Sequence, residues 1–164
     1  MLRDHYPNTK KILIDANVLV VIIVGQIRQT LLSSVSTGDL TLTPQDYTLI
    51  TNEIGAFEAS VTTPYLLAEV NTLFPKPDEN TLIDCRRTLA SYIPWLENNY
   101  VIPEVLADDN SFASFGIADI SILHAASADT LVLTADWALY GLLEHRGCSV
   151  IHYEVLRQMI DSIR

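Results

Sequence analysis

The sequence predicts an α/β fold, a three-layer α/β/α sandwich around a central parallel sheet of about five strands. Three observations carry that expectation. Short apolar runs alternate with helical patterns along the chain, and such alternation implies a parallel sheet covered on both faces. Hydrophobic residues make up 49% and charged residues 18% of the 164 positions, enough for a large interior. No repeat, low-complexity tract or linker divides the chain, so residues 1–164 are expected to form one domain, with "MLRDHYPNT" (1–9) as a loose N-terminal arm.

The elements follow in order. "KILID" is the first strand and ends in Asp15. "NVLVVIIVGQI" is expected as a buried helix, against the poor helix propensity of Val and Ile. Thr43, Pro44 and Asp46 provide an N-cap, a first-turn proline and a capping-box acid for a helix from about Pro44 to Phe57. "ASVTTP" is the second strand, and Pro64 starts the helix "PYLLAEVNTLF". After the turn "PKPDEN", "TLIDCRRTLASYIPWLENN" reads as a long helix, kinked or ended near Pro94. "YVIP" is the expected third strand, "LADDNSFASF" a short polar connection, and Gly116 opens the helix "IADISILHAAS". "TLVLTAD" is the fourth strand, and "WALYGLLEHRG" the next helix, closed by Gly147. "CSVIHY" is the fifth strand and "EVLRQMIDSI" the final helix.

Charge and composition narrow the functions. A net charge of −10, with ten scattered basic residues, argues against a general nucleic-acid coat, since phosphate binding draws on Lys and Arg. A nucleic-acid substrate held at one metal-neutralised site stays compatible. Cys85 and Cys148 form no CxxC and read as reduced core thiols, which suits a cytoplasmic protein. Asp15 and Asn17 interrupt the first apolar run, which argues against a signal peptide, and the remainder is too short to span a bilayer. His5, His124, His145 and His152 show no i, i+4 spacing, so a histidine metal site is not expected.

In an open parallel sheet, ligands bind beyond the carboxyl ends of the strands. Asp15 follows the first strand, Glu69 lies early in the helix after the second, Asp119 early in the helix after the third, and Asp136 follows the fourth. Each alone has an ordinary explanation: Asp15 and Asp136 as helix caps, Glu69 as a surface acid, Asp119 as a partner of the helix dipole. Together they form a set with no Lys or Arg interleaved. Carboxylates within ~5 Å of one another repel by roughly 3 kcal/mol per pair at an effective dielectric near 20. Such a cluster is protonated, splayed apart or bridged by a cation. Oxygen-only ligation suits Mg²⁺ or Mn²⁺.

"LIDANVL", "TTPYLLAEV", "FGIADISILHAA" and "LVLTADWALYGLL" resemble, in order and spacing, the four sequence blocks of PIN-domain proteins. The resemblance covers Lys11 to about His152. It implies a PIN-like fold and a metal-dependent ribonuclease acting mostly on single-stranded RNA. It also implies possible membership of the VapC-type toxins, with an antitoxin protein as partner and a homodimer as the common assembly. The family's acidic quartet falls on Asp15, Glu69, Asp119 and Asp136, its polar residue after the first acid on Asn17, and its fourth-block hydroxyl on Thr134. The chain departs from the pattern at Ala138, where many PIN toxins carry a further acid, and in the long segment from Ile27 to Glu58.

On this reading the quartet holds one or two Mg²⁺ or Mn²⁺ ions, with Glu69 as ligand or general base. Asn17 orients Asp15 or a water, and Thr134 positions Asp136 or a water. Arg86 and Arg87 are candidates to guide RNA, and Trp95 and Trp137 to stack bases, Trp137 the better of the two because it follows Asp136. Val18–Ile27 and Tyr47–Phe57 are candidate dimer faces, although burial in the monomer accounts for them equally well. Rival folds fit less closely. A haloacid-dehalogenase-type phosphatase wants Asp where Asn17 stands, a dinucleotide-binding fold wants a glycine-rich turn after the first strand, and a receiver module does not place acids at Glu69 and Asp119. The alternative of another class is a catalytically inactive PIN-fold module that binds protein or RNA in an assembly.

Overall fold

The computed structural model describes residues 2–35 and 42–161. Five parallel strands form one sheet: β1 (Lys11–Ile14), β2 (Ala59–Thr62), β3 (Leu96–Asn98), β4 (Thr130–Thr134) and β5 (Ser149–His152). Their spatial order is β3-β2-β1-β4-β5. The chain therefore builds outward from β1 in one direction through β2 and β3, then returns to the other side of β1 for β4 and β5. That reversal makes the gap between β1 and β4 a topological switch point, where the connections leave in opposite directions and open a crevice at the carboxyl ends. Helices flank the sheet and give the expected three-layer α/β/α sandwich.

Strand β1 is paired on both sides, Leu13 with Val61 of β2 and with Val132 of β4. Helix α2 (Ala16–Ile27) follows directly, and every residue from Val18 to Gly25 is buried. Its β-branched residues cost a few tenths of a kcal/mol each in helix propensity. Full burial of each returns roughly 1.5–3 kcal/mol, so packing decides the conformation. Both sides of α2 are used within the chain, against α3 (Pro44–Ile54), α4 (Pro64–Leu73) and α5 (Glu79–Tyr92). The candidate dimer face at Val18–Ile27 is thus largely consumed by the monomer core.

Most predicted boundaries agree with the structure, and the exceptions have physical causes. The expected loose arm is docked: α1 (Leu2–His5) buries Leu2, whose backbone N–H donates to Glu53, and the Tyr6 hydroxyl donates to the Val150 carbonyl. The third strand is not "YVIP" but Leu96–Asn98. Helix α5 stops at Tyr92, a 3-10 turn carries Pro94, and the chain then pairs Val61 with Glu97 at the sheet edge. A polar three-residue edge strand carries no alternating pattern, which is why it reads as helix end. A short helix α6 (Pro103–Ala107) starts at the proline of "YVIP" and ends inside the connection "LADDNSFASF", which also holds the first turn of α7 (Phe112–Ala125). Helix α8 spans Trp137–His145 and α9 spans Tyr153–Asp161.

Candidate active site at the switch point

Asp15 leaves β1 at the edge of the crevice and caps α2. Its Oδ1 accepts the Ala16 N–H at 2.6 Å, and its Oδ2 accepts the Thr134 hydroxyl at 2.7 Å. Asp15 is 2% exposed. Burial pushes its carboxyl up to about 6 against the two hydrogen bonds, and the charges of Glu69 and Asp136 push in the same direction.

Thr134, at the end of β4, joins two of the acids. While its hydroxyl donates to Asp15, its Oγ1 accepts the Asp136 N–H at 3.0 Å. Asp136 then caps α8, its Oδ1 accepting from Ala138 N and Leu139 N. Sequence reasoning assigned Thr134 to Asp136 or a water. The structure gives it a hydrogen bond to the Asp15 carboxylate across the switch point as well as the Asp136 backbone.

Glu69 and Asp119 come from α4 and α7. Pro64 and the Thr63 hydroxyl, which accepts the Leu66 N–H, start α4 immediately after β2. Thr63 and Ser121 hydroxyls pair at 2.7 Å in the interior, and Ser121 also donates to the Ala118 carbonyl. This pair fixes α4 against α7, and with it Glu69 relative to Asp119; the sequence offered no signal for it. Within α7, Gly116 has φ +79 and ψ −179, backbone that side-chain-bearing residues rarely adopt. The kink restarts the helix so that Asp119 falls in a new first turn.

The carboxyl of Asp119 is pushed up to about 7, by burial first and then by Asp15, Glu69 and Asp136. Glu69 is raised by burial and by Asp136, and its Oε2 is shielded from solvent with no hydrogen-bond partner. The charge of Asp136 therefore acts on all three of the other predicted acids, and Asp119 feels all of them. No three Asp, Glu, His or Cys side chains converge closely enough to enclose a metal ion among the described residues. The cluster is the splayed form of the arrangement expected from its charges.

The remaining candidates separate from the cluster. Asn17 sits half-buried in the first turn of α2, where the cap is Asp15; no side-chain hydrogen bond joins Asn17 to Asp15 or Thr134 among the described residues. Arg86 donates to Asn71, and Arg87 pairs with Asp84 at 3.4 Å on the exposed face of α5. Trp95 is 83% exposed on the edge of the sheet, whereas Trp137 begins α8 beside Asp136. His124 pairs with Asp109, not with the acids. Both cysteines are free thiols. No described helix is long and apolar enough to cross a membrane.

No protein-family model matches the chain, and no curated protein matches it. The functional reading rests on the site.

Proposed function

We propose that the chain is a metal-dependent endoribonuclease of the PIN family, hydrolysing phosphodiester bonds of RNA. The observation that carries the proposal is the set of four carboxylates, delivered by four separate elements to one switch point with no cationic side chain acting on them among the described residues. A divalent cation would relieve the repulsion among these carboxylates, and hard oxygen donors select Mg²⁺ or Mn²⁺. The unpartnered, shielded Oε2 of Glu69 fits such an occupant, because a buried carboxylate oxygen left unsatisfied is costly.

Asp15, Asp119 and Asp136 are the residues that would hold the ion, with Glu69 as a fourth ligand or as base. A bound divalent ion supplies charge that offsets the scissile phosphate and acidifies water. The chain's own groups do the rest. Thr134 and the Ala16 N–H fix the Asp15 carboxylate in one orientation. Glu69, raised by burial and by the charge of Asp136, is suited to take a proton from the attacking water and return it to the leaving oxygen.

The resemblance extends the proposal to a cytoplasmic toxin of the VapC type, with an antitoxin partner and a homodimer. The experiment is cleavage of a single-stranded RNA with Mn²⁺. Wild type is expected to cleave, Asp119→Asn to lose at least about a hundredfold, and chelation to abolish the reaction. Metal binding without any cleavage would favour the inactive binding module instead.

A further inference from the structure

One aromatic assembly beside the acids has no part in the chemistry above. Trp137 and His152 stack with ring centroids 3.6 Å apart and planes within 10°. Tyr140 closes the group edge-on, 5.5 Å from Trp137 at 76° and 6.3 Å from His152 at 85°. Thr134 of β4 pairs with His152 of β5, so the stack lies on the carboxyl edge, one strand from the switch point. His152 is 1% exposed, while Trp137 is 52% exposed. One face of the indole is therefore backed by a buried ring, and the other is open to solvent.

This construction exceeds what a helix start needs. Asp136 already caps α8 through its own carboxylate, so Trp137 is free of that task. His152 is held in register by the β4 pairing, and its Nδ1 accepts the Glu154 N–H at 3.2 Å, which fixes the ring. Burial lowers the imidazole from its ordinary value, against the Ala135 hydrogen bond and the nearby charges of Glu154 and Asp136. The Tyr140 hydroxyl is tied to Glu144 at 3.0 Å. The three rings thus pack on one another over a fixed His152 ring, and stacking on a preorganised ring costs little conformational entropy.

Charge points to the same occupant. The chain carries net −10, and at least four of its ten cations are paired elsewhere: Lys11 with Glu97, Arg146 with Asp109, Arg157 with Asp46, Arg3 with Glu58. Phosphate contacts to Lys and Arg are the usual source of nucleic-acid affinity, and here they are scarce. Base stacking on aromatic side chains is worth about 1–3 kcal/mol per base and needs no positive charge.

We propose that the exposed face of Trp137 is a nucleobase platform that seats an unpaired base of single-stranded RNA next to the acidic site. The choice of RNA rests on the nuclease reading; the platform itself rests on the ring geometry. A paired base cannot reach such a face without unstacking, so the platform selects single strands over duplex.

The test uses the full chain carrying Trp95→Phe, which leaves Trp137 as the one tryptophan of the two in the sequence. An eight-nucleotide oligoribonucleotide is titrated with Ca²⁺ in place of Mn²⁺, and the emission of Trp137 is followed. Saturable quenching is expected. The variants at Trp137 carry no tryptophan, so their Kd is read from the anisotropy of the same strand labelled with fluorescein; Trp137→Ala should weaken Kd about tenfold, while Trp137→Phe, which keeps a stacking ring, should stay within about threefold. An abasic strand of equal charge should bind no better than the Ala variant binds RNA, and affinity should fall only weakly with salt. Absence of quenching, an unchanged Kd in the folded Ala variant, or equal binding of the abasic strand would overturn the platform. The two readings fail separately. Quenching without cleavage in Mn²⁺ sinks the nuclease and leaves the platform; Mn²⁺-dependent cleavage with an unchanged KM in Trp137→Ala does the reverse.

Discussion

Removing the Asp15 charge should stabilise the metal-free protein. The native carboxyl is raised from 3.8 to about 6, chiefly by burial. Between those two values the folded chain keeps a proton that the unfolded chain releases, so stability falls as pH rises through that window, and the loss is complete above about pH 6. Roughly two pKa units at about 1.4 kcal/mol each give a penalty of about 3 kcal/mol near pH 8. Asp15→Asn deletes the charge and keeps an oxygen to accept the Ala16 N–H. It gives up the charged acceptor of the Thr134 hydroxyl, which returns about 1 kcal/mol. The net gain is about 2 kcal/mol, or roughly 4–8 °C in Tm for a domain of this size. The assay is thermal and urea unfolding of metal-stripped wild type and variant, near pH 4 and near pH 8. The advantage should be present near pH 8 and largely gone near pH 4, where native Asp15 is protonated. Asp78, Asp109 and Asp129, held below their ordinary values, lose stability on acidification in both proteins and cancel in the comparison. A variant less stable than wild type near pH 8, or an advantage independent of pH, would refute the reasoning.

Three other outcomes are expected. Thr134→Val leaves one Asp15 oxygen without its donor and the Asp136 N–H without its acceptor, so it should cost about 1–3 kcal/mol in urea unfolding and shift metal binding to higher pH. Gly25→Ala should destabilise by about 1–3 kcal/mol, because a Cβ there would stand 2.3 Å from the Tyr47 ring; a Tm equal to wild type would mean that α3 yields freely. Asp109 receives Arg146 at 2.9 Å and the Ser111 N–H at 2.8 Å, so Asp109→Ala should lower the Tm by calorimetry and loosen α7 from α8; an unchanged Tm would mean that these contacts do not hold the connection.

The fold was legible where the pattern is strong. β1, β4 and β5 are runs of buried apolar residues, and Pro64, Gly147 and the pair Thr43–Asp46 punctuate helices as their chemistry requires. It was illegible where pairing, not side-chain pattern, makes the element. β3 is a strand because β2 offers its edge to Leu96–Asn98. The four acids were legible because position at a strand end is a sequence property once the alternation is recognised. What joins them was not: Thr134 to Asp15 spans 119 residues and Thr63 to Ser121 spans 58, and neither separation has a local signature. The same holds for Trp137, whose rank as a base-stacking candidate came from its neighbour Asp136, while its backing by His152 needs the β4–β5 register. Asn17 was favoured by the same adjacency and forms no hydrogen bond with the acids among the described residues.

The central claim is that four carboxylates share a divalent cation. It is tested most directly by isothermal titration of Mn²⁺ into the wild-type protein and Glu69→Gln near pH 8, with wild type repeated near pH 6. The account predicts saturable binding near pH 8 that weakens toward pH 6, as protons reoccupy Asp15 and Asp119, and a loss of about tenfold or more in the variant. No binding heat in the wild type at millimolar Mn²⁺, or the same affinity in the Gln variant, would contradict it.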